Sequence, residues 1–93
     1  MESLYMRELY GSPTAVQIEV MGSIAIGIAN RWALGWHDRV IVMLTSGTYM
    51  QHLLEQSERE KDVLASEYAT HLARVEILQM HGVALAPPAS NAD

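Results

Sequence analysis

Residues 21–36 leave this chain few ways to fold. They form its most apolar stretch, and their small residues Gly22, Ala25, Ala29 and Ala33 recur at offsets of three, four and four. On a helix that spacing draws one shallow seam along a single side. Ile24, Ile28 and Trp32 flank the seam on one side, Ile18 and Ile26 on the other. Such a helix has little to show to water, so the rest of the chain is expected to pack around it. The seam suits close packing inside the chain or across a dimer. A membrane dimerisation face is opposed by Gln17, Glu19, Asn30 and Arg31.

A length of 93 residues, with 49% apolar and 18% charged, matches one folded domain with a modest core. There is no Phe, so an aliphatic core must be completed by Met, Trp and Tyr. Six basic residues against eleven acidic ones give a formal charge of -5, and Lys61 is the sole lysine. Direct DNA or RNA binding needs a basic surface and is disfavoured. A protein partner with a basic surface is the better electrostatic match. The absence of Cys removes disulfides, thiolate zinc sites and thiol catalysis. The first residues lack the basic and apolar regions of a signal peptide. The apolar run 20–29 is about half the length of a bilayer span. A soluble, cytoplasmic chain with no membrane contact is expected.

Along the chain, 2–10 reads as a short amphipathic helix stopped by Gly11. Ser12 as N-cap and Pro13 at the first helical position open a helix over 13–34, closed by Gly35 in a left-handed cap. Gly22 and Gly27 inside it each cost about 1 kcal/mol relative to Ala, which a helix tolerates where another backbone comes close. Asp38 is placed to cap a third helix over 39–44. Val40, Ile41 and Val42 also suit a strand, but a lone strand leaves its backbone groups unpaired. Residues 45–47 break the chain again, and Thr48 with Gln51 makes a capping-box pattern.

From there to Gly82 no Gly or Pro intervenes, which predicts one helix over 48–81. It would be about 50 Å long against about 33 Å for the central helix. Its middle, 55–62, is wholly polar and reads as a solvated stalk with Glu55–Arg59 and Glu58–Lys61 pairs. Beyond it Val63, Leu64, Tyr68, Leu72, Val75 and Leu78 resume an apolar stripe. Such a helix either folds back as a hairpin or carries its far end to another chain. No turn residue stronger than Ser57 lies in the stalk, which favours the second. The domain is expected to cover 1–86, with 87–93 a flexible C-terminal tail marked by Pro87 and Pro88.

Catalytic sets are missing. Glu67 and His71 share a helical face, and His52 stands three before Glu55, but no matching pair completes a metal site. His37 and His81 read as ordinary boundary histidines. Ser46 lies in a glycine turn without a nucleophile motif, and Gly22 to Gly27 lacks the Lys of a phosphate loop. A helix-turn-helix reading of 39–52 offers Tyr49, Met50, Gln51 and His52 as base readers, of which Gln51 alone is apt. Met50, Met80, Tyr49, Tyr68, Trp32 and Trp36 are residue types common at contact hot spots.

The expectation is an all-α protein of three to four helices with a long C-terminal helix, assembled as a dimeric helical bundle. Its function would be that of a small, acidic, non-enzymatic module that binds and modulates or inhibits a partner protein. Bacterial or phage accessory proteins are of this general type. No cofactor and no metal are expected. The partner contacts fall on Leu64, Tyr68, Leu72, Val75 and Leu78. The candidate dimer seam is Gly22, Ala25, Ala29 and Ala33. The alternative is a transcriptional regulator of helix-turn-helix type.

Overall fold

A computed structural model describes residues 3–66, 74–80 and 82–88. Among the described residues the chain is all-helical. The helices are α1 (Arg7–Tyr10), α2 (Ser12–Met21), α3 (Ser23–Gly35), α4 (His37–Ser46), α5 (Tyr49–Ser66) and α6 (Arg74–Met80). The strand-like residues Val40, Ile41 and Val42 lie in α4, as the missing strand partner implied. No helix among the described residues is long and apolar enough to cross a membrane.

The helix expected over 13–34 is two helices. Gly22 adopts φ +106°, a conformation L side chains rarely take, and splits it into α2 and α3. Its N–H donates to the Glu19 carbonyl at 3.2 Å, and its own carbonyl accepts the Ile26 N–H at 3.1 Å. Nothing lies within 4 Å of where its Cβ would stand. Backbone freedom, not close packing, is therefore what Gly22 supplies, and α2 folds back onto α3.

The caps also shift. Gly11, not Ser12, precedes α2, and its carbonyl accepts the Ala15 N–H at 2.9 Å. Gly35 remains helical with no positive φ. The turn falls on Trp36, whose N–H still reaches the Trp32 carbonyl while its own carbonyl starts α4. Gly47 and Gly82 are left-handed C-caps. After Gly47, the Thr48 N–H bonds the Met43 carbonyl; after Gly82, the Val83 N–H bonds the Leu78 carbonyl. Each is a six-to-one closure of a Schellman motif.

The single helix over 48–81 is corrected more deeply. α6 packs against α5, and Leu78 is 1% exposed. A straight helix would keep these segments apart along its axis, so α6 does not continue α5 as one straight rod. Residues 67–73 lie outside the described residues. The described residues give two shorter helices, Tyr49–Ser66 and Arg74–Met80, and do not show a single long C-terminal helix.

α3 is the centre of the bundle. It buries Ala25, Ile26, Ile28, Ala29, Asn30, Trp32 and Ala33, and packs most extensively on α5 and α2. Trp32 is completely buried and meets the Tyr49 ring edge-on at 6.2 Å, while Tyr49 lies 5.4 Å from Tyr10. Aromatic rings fill the volume that Phe would otherwise take.

Candidate functional site

Three consecutive residues of α3 hold the segments around Tyr5 and Leu85. Asn30 is buried; its Oδ1 accepts the Tyr5 N–H at 2.7 Å, and its Nδ2 donates to the Ser3 carbonyl at 2.8 Å. Arg31 Nε and Trp32 Nε1 both donate to the Leu85 carbonyl at 3.0 Å. That carbonyl therefore uses both of its lone pairs. Arg39, from the first turn of α4, donates to the Pro87 carbonyl at 3.1 Å, and Gln56 of α5 donates to the Ala84 carbonyl at 2.9 Å. Residues 83–88 thus form a strap across α3, α4 and α5. Pro87, in the segment expected as a tail, is buried, and residues 89–93 lie outside the described residues.

Beneath the strap lies an ion pair. Arg31 Nη2 and Nη1 donate to the two Glu60 oxygens at 2.6 and 3.4 Å. Gln56 Nε2 donates to Glu60 at 2.6 Å, and Gln56 Oε1 accepts from Arg59 at 3.0 Å. Glu60 is 3% exposed, and Gln56 and Ser57 are equally enclosed. The stretch read as a solvated stalk therefore has one buried face, made by Gln56, Ser57 and Glu60, and Arg59 bonds Gln56 rather than the expected Glu55. The overlooked signal was phase: Tyr49, Leu53, Gln56 and Glu60 recur at four, three and four, continuing one inward face through the polar run.

A cleft of about 290 Å³ runs beside the strap, lined by His52, Glu55, Gln56 and Arg59 and by Ala84, Ala86 and Pro88. The alternate residues 84, 86 and 88 face it, the period of an extended chain. The described His, Asp and Glu side chains gather into no group of three able to hold a metal ion. Ser46 Oγ reaches the Met43 carbonyl and Thr48 Oγ1, so its hydroxyl serves the turn. Gln51 is bonded to Glu55, and Tyr49, at the start of α5, is buried in the core, away from any outward reading surface.

Two buried hydroxyls, Tyr49 Oη and Ser57 Oγ, have no hydrogen-bond partner among the described residues. Burial pushes the Tyr49 phenol far above its ordinary range, and the neighbouring Tyr10 adds to the effect. Burial raises the Tyr10 phenol as well, and its hydroxyl lies 3.4 Å from the Ala29 carbonyl.

The residues expected to bind partners are placed as follows. Leu64 is half-buried on α5. Leu78 is buried under α5 and offers no outward surface. Val75 is in α6 with its side chain outside the described set, and Tyr68 and Leu72 lie outside the described residues. Of the seam, Ala25, Ala29 and Ala33 are buried within the chain, and Gly22 is the hinge before it. Comparison with family models, curated proteins and solved structures gives no match for this chain.

Proposed function

We propose that this chain is a small, acidic, non-enzymatic protein-binding module that modulates or inhibits its partner. The observation that carries the reading is the outer face of α5. There Leu54 is 52% exposed, with Glu55, Glu58 and Asp62 exposed on the same helix against one exposed lysine, Lys61. An apolar contact flanked by an excess of carboxylates suits a partner whose surface is basic around an apolar recess. The net charge of -5 acts in the same direction at long range. The contact proposed here lies on the first half of α5, ahead of the stripe expected from Leu64 onward. A homodimer belongs to the same proposal, now placed on the outer face of α2, where Val16 and Val20 stand exposed one turn apart. So does a cytoplasmic setting.

The test is capture from extracts of the source cell with the tagged chain and with Leu54→Asp and Glu58→Lys variants. A partner retained in stoichiometric amount by the parent chain, and lost by variants of unchanged helicity and unfolding midpoint, supports the reading. Identical retention by parent and variants ends it.

A further inference from the structure

The strap and its groove have matched chemistry. The bundle side presents donors: one indole N–H, two guanidinium groups and one amide N–H. The strap side presents backbone carbonyls, and Pro87 and Pro88 have no N–H to place. Side chains of the strap contribute little: Ala84 and Pro88 are exposed, Leu85 and Ala86 half-buried, and Pro87 alone is buried. These contacts depend on an extended main chain and one proline ring, and any peptide with those two features can make them. The cleft along the strap leaves space unfilled by the methyl groups of Ala84 and Ala86.

We propose that this groove on α3, α4 and α5 is a docking site for an extended, proline-containing peptide of a partner protein, which residues 84–88 occupy in cis until it displaces them. The donors Arg31, Trp32, Arg39 and Gln56 fix the peptide backbone, and its proline takes the Pro87 position. A side chain larger than methyl at the Ala86 position fills the cleft beside His52 and Arg59. The vacant space favours a foreign peptide over the same segment from a second copy, whose side chains would leave it empty again. The inference concerns a different face from the outer side of α5 and stands or falls separately.

The resident strap competes at the effective concentration of a tethered ligand, on the order of millimolar. Weakening it exposes the site. Pro87→Gly removes the buried ring and loosens the unbound strap without touching the groove. A fluorescent six-residue peptide with the sequence of residues 83–88, titrated into the full-length chain, should bind the Pro87→Gly chain about tenfold more tightly than the parent chain. A peptide with Leu in place of Ala86 should bind more tightly still, and Arg39→Ala should weaken both. Equal affinity of the two peptides overturns the proposal in favour of exchange between copies. Absence of saturable binding to the Pro87→Gly chain overturns it outright. Should Pro87→Gly unfold the chain, the parent chain carries the test: excess Leu-substituted peptide must shift the Trp32 indole N–H resonance saturably, and an unmoved resonance is contrary.

Discussion

The contact between α3 and α5 has two ends that work by different physics. At one end Ile28, Ala29, Tyr49 and Leu53 pack without directional demands. At the other, Arg31, Gln56 and Glu60 lock the same two helices, and the strap, through charge-assisted hydrogen bonds. Apolar packing loses stability in proportion to the volume removed. A buried ion pair fails as a unit, since one partner alone is left charged and unsolvated. The apolar end is thus graded and the polar end all-or-none.

The largest expected effect comes from breaking the polar end by halves. Arg31→Met should destabilise by about 3–5 kcal/mol in denaturant unfolding, because Glu60 is left buried and unpaired. Adding Glu60→Leu should recover most of that loss. A double variant as unstable as the single one would show that the strap bond to Leu85, and not the ion pair, holds this end. At the apolar end, Leu53→Ala should cost about 2–5 kcal/mol, and Leu53→Met less than about 1.5 kcal/mol. Similar losses for the two would contradict the graded character of that end.

Smaller effects sharpen the boundary between the ends. Tyr49→Phe removes a buried hydroxyl that faces the Tyr10 phenol without a well-formed hydrogen bond, and should shift stability by less than about 1 kcal/mol. It should also reduce a pH dependence. Burial raises the Tyr10 and Tyr49 phenols, so the folded state keeps protons that the unfolded chain releases above about pH 10. Stability is full below that pH and falls as pH rises beyond it, and the fall should be shallower in Tyr49→Phe. Unfolding midpoints from about pH 8 to about pH 11 measure it. Smallest is Ser57→Ala, expected to raise stability by up to about 1 kcal/mol, since Ser57 Oγ is also unpaired and Ala favours helix. A loss there would mean that the hydroxyl holds a water the helix pair needs.

Helicity, the central place of residues 21–36 and the breaks at Gly47 and Gly82 were legible in residue order. They rest on spacing and on conformations that only local chemistry controls. Gly22 was legible as special but not as a break, because a glycine in a helix pattern marks close approach and a turn alike. The strap was hidden for another reason. Its bonds join Arg31 to Glu60 and Leu85, and Gln56 to Ala84, across 28 to 54 residues. No periodicity within one segment records such partners.

By itself the sequence determined that the chain is helical, that the core is aliphatic with Trp and Tyr, and that the charge is acidic. These follow from propensity, patterning and composition, each a property of neighbouring residues. Tertiary structure decided that Glu60 pairs with Arg31, that α6 packs against α5, and that residues 83–88 lie across the bundle. Each of these depends on which distant group satisfies a buried charge or carbonyl, and that choice exists only once the chain has folded.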